Sequence, residues 1–153
     1  MNIENYIAVL KALHENDVEY VLVGGLAAIL HGVPRITEDI DIFLQGGASN
    51  IEKLKAALAS VFNDKSIEEI STRDLESYSV IRYGTPGDFY IDIMIRIGER
   101  FAYSDLEYEI IKSHGIPIRI ATVQTLINMK QGTLREIDRA DVILLTEKLK
   151  GKK

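Results

Sequence analysis

The stretch Glu19-Tyr20-Val21-Leu22-Val23-Gly24-Gly25-Leu26-Ala27-Ala28 reads as a strand that runs straight into a helix. Residues 19–23 are rich in β-branched and aromatic side chains, the composition of a strand. Residues 26–31 read as a short helix, stopped by Gly32 with Pro34 just beyond. A second strand follows over Asp39–Leu44 and opens with two acids, Asp39-Ile40-Asp41-Ile42. Side chains two apart on a strand share a face, so Asp39 and Asp41 project together, away from Ile40 and Ile42.

Outward from this unit, Ile3, Tyr6, Ile7, Leu10 and Leu13 recur at helical spacing, with Asn2 placed to cap the helix. Ser49-Asn50-Ile51-Glu52 has the form of a capping box, opening a helix with Ile51, Leu54, Leu58 and Val61 on one face. Residues 78–83 and 89–97 are expected strands. The Gly84-Thr85-Pro86-Gly87-Asp88 segment between them predicts an antiparallel hairpin. Residues 104–114 suit helix and strand equally, and residues 117–120 read as a short strand. Thr122 is placed to cap a helix ending near Gln131. Thr133-Leu134-Arg135-Glu136 reads as a second capping box, starting a final helix to about Leu149. Strict alternation of strands and helices is broken by the hairpin, which predicts an α/β (α+β) fold with a mixed sheet.

At 153 residues, 46% of them hydrophobic, the chain is expected to form one domain over 1–153. It has no cysteine, which excludes disulfides, thiolate metal sites and a thiol nucleophile. It has no apolar run of the roughly eighteen residues that suggest a membrane span, and no secretory signal pattern at its start. A cytoplasmic location is the expectation. A net charge of −5 gives no general attraction to nucleic acid. The basic run Lys148-Leu149-Lys150-Gly151-Lys152-Lys153 reads first as a solvated tail.

A second acidic strand carries the functional reading further. In Phe89-Tyr90-Ile91-Asp92-Ile93-Met94-Ile95-Arg96-Ile97 the odd positions are apolar and face a core. Asp92 then lies on the opposite face, beside Tyr90, Met94 and Arg96. If this strand neighbours the one holding Asp39 and Asp41, three carboxylates converge. Such a cluster repels itself unless a cation sits within it. Oxygen-only ligands suit Mg²⁺ or Mn²⁺. An isolated Asp-x-Asp is more often a solvated pair on a half-buried strand. Gly24-Gly25 between a strand and a helix shifts that balance, because it lets a ligand approach the backbone beside the N–H groups of a helix start.

Val23-Gly24-Gly25, a gap, then Asp39-Ile40-Asp41-Ile42 resembles the signature of the DNA polymerase β-like nucleotidyltransferases, and Tyr90-Ile91-Asp92-Ile93 resembles the strand bearing their third carboxylate. The finer pattern is similar to small members grouped with the AbiEii abortive-infection toxins. It comprises Gly24-Gly25-Leu26-Ala27-Ala28, His31-Gly32, and Arg35-Ile36-Thr37-Glu38 leading into Asp39. Leu126-Ile127-Asn128-Met129-Lys130 followed by Arg135-Glu136-Ile137-Asp138-Arg139-Ala140-Asp141 supports it. The resemblance spans about residues 19–145. It departs from the pattern at Gly25, where many members have Ser, and over residues 65–78, which match no motif.

The resemblance implies a nucleotidyltransferase fold, a mixed twisted sheet flanked by helices, with residues 122–149 as C-terminal helices against it. It implies transfer of a nucleoside monophosphate from a nucleoside triphosphate to a hydroxyl acceptor with two divalent ions, Mg²⁺ or Mn²⁺. Asp39, Asp41 and Asp92 would be the metal-binding and catalytic carboxylates, with Asp92 also the candidate general base. Gly24, Gly25, Arg35, Thr37 and Lys130 would form the nucleotide site, Thr37 by orienting the loop. Arg135, Asp138 and Asp141 read first as a structural ion-pair set, and His31 as a packing or capping residue. The acidic balance favours a small molecule or protein over RNA as acceptor. The alternatives are a toxin–antitoxin component using the same chemistry on a protein or tRNA, and a non-catalytic nucleotide-binding module. A homodimer is compatible with a domain of this size, and no sequence feature marks its interface.

Overall fold

A computed structural model of the chain describes residues 2–131 and 136–151. The expected capping box at Thr133 and the ion-pair partner Arg135 lie outside the described residues, as do Lys152 and Lys153. Helix α1 (Ile3–Glu15) is capped by Asn2, whose side chain accepts from Asn5 N–H. Strand β1 (Tyr20–Val23) is buried throughout and leads into α2 (Gly24–Leu30). Strand β2 (Asp39–Leu44) is followed by α3 (Ala48–Val61), a 3₁₀ turn over Lys65–Glu69, and α4 (Thr72–Ser77). Strands β3 (Ile81–Gly84) and β4 (Tyr90–Met94) form the expected antiparallel hairpin. Thr85 closes its turn, its buried hydroxyl donating to Phe89 O and accepting from Gly87 N–H.

Strands β5 (Arg96–Ile97) and β6 (Phe101–Ala102) pair with each other in a separate two-stranded sheet. Strands β7 (Tyr108–Ser113) and β8 (Ile116–Ala121) form a second hairpin, and α5 (Val123–Lys130) and α6 (Glu136–Gly151) complete the chain. The main sheet has the order β3-β4-β2-β1-β8-β7. It is mixed as expected: β2 runs parallel to β4 and β8 parallel to β1, while β1–β2, β3–β4 and β7–β8 are antiparallel. The helices flank it in two groups. Helix α1 lies against α3 and β8; α2 lies against β1, β2 and α5, which packs on α6. Buried apolar side chains from all these layers form one core. No helix among the described residues is long and apolar enough to cross a membrane.

Several boundaries differ from the sequence reading. Helix α2 starts at Gly24 rather than at residue 26, because the chain leaves extended Val23 and turns at once through Gly24 at φ +73°. Helix α3 starts at Ala48 behind Gly47, with no side-chain cap, so Ser49 does not head a capping box. Its neighbour Asn50 is instead buried and ties the helix to the sheet. Its Oδ1 accepts from Glu19 N–H at 2.7 Å, and its Nδ2 donates to Gln45 O and Glu19 O. The strand expected from residue 78 begins at Ile81, because Ser71 caps a helical turn that holds the chain to Ser77. The strand expected over 89–97 divides at Ile95, where Arg96 and Ile97 leave the main sheet for Phe101–Ala102. Of the ambiguous stretch, residues 108–113 are strand, paired through a tight turn in which His114 and Gly115 both have positive φ.

Candidate active site

Parallel pairing sets Asp39 opposite Tyr90, Asp41 opposite Asp92, and Ile40 and Ile42 opposite Ile91 and Ile93. Facing residues on adjacent strands project to the same side. The apolar partners therefore close the core at 0% exposure, and the acids gather on the other face. Asp39, Asp41 and Asp92 bring carboxylate oxygens within 4.8 Å of one another, the convergence the two acidic strands predicted. Gly24 makes room for them. A Cβ built on Gly24 would run into the Asp41 carboxylate, and its positive φ disfavours any side chain.

The cluster is electrostatically loaded. Burial pushes the Asp41 carboxyl up from 3.8 to about 7, and the charge of Asp92, its hydrogen bond and the charge of Asp39 push the same way against Lys130. An acid pushed up by burial beside two further carboxylates marks a site where added positive charge is favoured. Three oxygen donors with no nitrogen or sulfur among them match the ligand preference of Mg²⁺ or Mn²⁺, so the residues present fit a divalent ion.

The sequence reading missed Arg82. It faces Asp92 across the β3–β4 hairpin. Its Nε donates to Asp92 Oδ1 at 2.9 Å, and Nη2 donates to Asp92 Oδ2 at 3.0 Å and Asp39 Oδ2 at 3.2 Å. Its guanidinium also lies 4.6 Å from the Tyr90 ring centroid. These bonds raise its pKa further, chiefly through Asp92. A signal existed: with the hairpin in register, a cation at position 82 must share a face with Asp92.

A cavity of about 450 Å³ joins the acids to every residue expected to contact nucleotide: Gly24, Gly25, Arg35, Thr37 and Lys130 all line it. Thr37 lies beside the chain of β2, its hydroxyl bonded to Asp39 N–H and Asp39 O. Arg35 lies over Gly25, its guanidinium carbon 3.0 Å from where a Cβ would stand. Its Nη1 donates to Asp141 Oδ2 at 2.5 Å, while its buried Nε has no partner among the described residues. Lys130 Nζ pairs with Asp141 at 3.0 Å and Asp138 at 3.5 Å. Asp141 therefore anchors both cations of the cavity, and Asp138 joins it at Lys130. Val23, Met94, Ile97, Leu126 and Met129 supply the apolar wall. His31 stands apart, its Nε2 donating to Ala121 O at 2.8 Å to tie the end of α2 to β8.

Three solved structures share this architecture. The lincosamide antibiotic adenylyltransferase LnuA, bound to lincomycin, superposes with a TM-score of 0.66 at 16% identity, covering 95% of this chain and 97% of its own. An antigenic nucleotidyltransferase-like protein from Paracoccidioides brasiliensis gives 0.57 at 16% identity, over 92% of this chain and 73% of its own. JHP933 from Helicobacter pylori gives 0.51 at 19% identity, over 94% and 64%. At these identities the likeness is one of fold. No curated protein matches the sequence. The family described as nucleotidyl transferase AbiEii toxin, type IV toxin–antitoxin system, matches residues 8–130, well over half of the chain. The match takes in the glycine turn and all three acids, and the chain belongs to this family of nucleotidyltransferases.

Proposed function

We propose that this cavity transfers a nucleoside monophosphate from a nucleoside triphosphate to a hydroxyl acceptor, with Asp39, Asp41 and Asp92 as its working carboxylates. The observation that carries this reading is the joining, in one cavity, of a three-carboxylate cluster to a half-buried arginine and lysine beside a glycine turn. Asp39, Asp41 and Asp92 would hold Mg²⁺ or Mn²⁺. A divalent ion bound there supplies Lewis acidity and offsets the charge of the phosphoryl oxygens. Arg35, whose Nε–H has no partner among the described residues, Lys130 and the first-turn N–H groups of α2 orient the triphosphate. The acceptor oxygen bonds to the α-phosphorus. The bond from that phosphorus to the bridging oxygen breaks, and pyrophosphate leaves with the electron pair. Asp92 accepts the hydroxyl proton. Thr37 keeps Asp39 in register through its backbone bonds.

The net charge of −5 favours a small molecule or a protein over RNA as the acceptor. LnuA, which nearly the whole of this fold covers, is an adenylyltransferase bound to a small molecule. The family description favours a second setting for the same chemistry, a toxin acting within a toxin–antitoxin pair on a protein or tRNA. The test is incubation with α-labelled nucleoside triphosphates, Mg²⁺ or Mn²⁺ and panels of small hydroxyl compounds, proteins and RNA. Label should move to one acceptor class with release of pyrophosphate, and Asp41→Asn should transfer none. Transfer retained in that variant removes the carboxylates from the mechanism.

A further inference from the structure

Arg82 holds the oxygens a divalent ion would need. Three hydrogen bonds from one guanidinium engage both oxygens of Asp92 and one of Asp39. Yet Arg82 is not locked in place. Its side chain is 53% exposed, it springs from the edge strand of the sheet, and one face rests on the Tyr90 ring. On its other side it lines a separate groove of about 310 Å³, shared with Glu69 and Asp74. One cation therefore stands between two acidic surroundings, the carboxylate cluster and this groove.

We propose that Arg82 is the built-in counter-cation of the carboxylate cluster. It neutralises Asp39 and Asp92 while no metal is bound, competes with the divalent ion for their oxygens, and turns toward Glu69 and Asp74 when the ion arrives. The inference rests on the cluster binding a divalent cation, and assigns Arg82 a positioning role beyond that. In the cation-free protein the guanidinium keeps the strand-borne acids from splaying and covers Asp92, the proposed proton acceptor. A pair this exposed is held only modestly. Arg82 thus sets a threshold for the ion rather than a block, worth about a tenfold loss in apparent metal affinity. Charge repulsion between guanidinium and metal acts in the same direction.

The test measures Mn²⁺ affinity by the paramagnetic resonance of free Mn²⁺ for wild type, Arg82→Gln and Arg82→Lys, each without nucleotide. Arg82→Gln should bind Mn²⁺ about tenfold more tightly than wild type, and its cation-free protein should melt lower at pH 8. Arg82→Lys, which keeps charge but not the bidentate fork, should fall between the two. In the wild-type protein the Arg82 Nε–H should exchange slowly with water when cation-free and quickly at saturating Mg²⁺, a readout that needs no folded variant. Equal or weaker Mn²⁺ binding by Arg82→Gln, or an Nε–H still protected at saturating Mg²⁺, overturns the role of Arg82 and leaves the metal site standing. Mn²⁺ binding by none of the three proteins overturns the metal site and this inference together.

Discussion

The carboxylate of Asp41 fills the space that a side chain on Gly24 would occupy. Val23, immediately before the glycine, pairs with Asp41 across the β1–β2 ladder, so turn and acid are locked to one another by backbone register. The glycine is required twice, by the positive φ and by the approach of the acid.

Gly24→Ala should therefore harm fold and site together. Left-handed backbone strain costs a non-glycine residue about 1–3 kcal/mol, and relieving the clash must move Asp41 away from Asp92. Chemical denaturation should show a lower midpoint with an unchanged slope, and Mn²⁺ binding should weaken. A variant with wild-type midpoint and wild-type Mn²⁺ affinity would contradict this account of the turn.

The Asp41 carboxyl, pushed up to about 7, makes the cation-free protein sensitive to pH in a defined direction. An acid whose pKa is higher folded than unfolded binds protons preferentially in the folded state. Its contribution is fully present below the unfolded value, 3.8, and is lost as pH rises through about 7. Without divalent ions the melting temperature should fall across this window, and saturating Mg²⁺ should oppose the fall. Asp41→Asn should remove this part of the slope and melt roughly 3–8 °C above wild type at pH 8 without metal, while losing transfer. A cation-free variant that melts lower than wild type at pH 8 would show that the cluster is not charge-strained.

Asp141 is the common anchor of Arg35 and Lys130, and its side chain is only 2% exposed. Replacing it with Asn leaves two largely buried cations short of their counter-charge. Urea denaturation of Asp141→Asn should show a loss of about 2–4 kcal/mol. The concentration of nucleoside triphosphate needed for half-maximal stabilisation should also rise, because the two cations lose the group that aims them into the cavity. An unchanged urea midpoint would mean that the ion cluster is not holding α6 to the site.

Much of this site was readable as spacing. Asp39 and Asp41 share a face because a strand repeats every two residues, and apolar Ile91 and Ile93 leave Asp92 for the other side. Gly24-Gly25 between strand and helix marks a close backbone approach, and the hairpin follows from its Gly/Pro turn. These are local properties, fixed by backbone geometry and the chemistry of neighbouring residues, so the sequence by itself determines them. It also carries the family, since the motifs lie within the matched span.

Only the tertiary structure decided which strands are neighbours. Placing β4 beside β2 in a register that sets Asp92 against Asp41 is a long-range choice, made by burying Ile40, Ile42, Ile91 and Ile93 together. The same choice brings Asp39 to Arg82, which the hairpin alone sets opposite Asp92. Lys130 of the helix after β8 and Arg35 of the loop after α2 meet at Asp141 of the last helix, which helical spacing does not reveal. Asn50 shows the opposite error: its motif looked like a local cap, but burial against β1 and β2 gave its amide stronger partners in the chain ends of the sheet. Local spacing fixes which way a side chain points. The charge it meets from distant elements depends on how the whole core closes, and that is why the acids were legible in advance and the meeting of Arg35 and Lys130 at Asp141 was not.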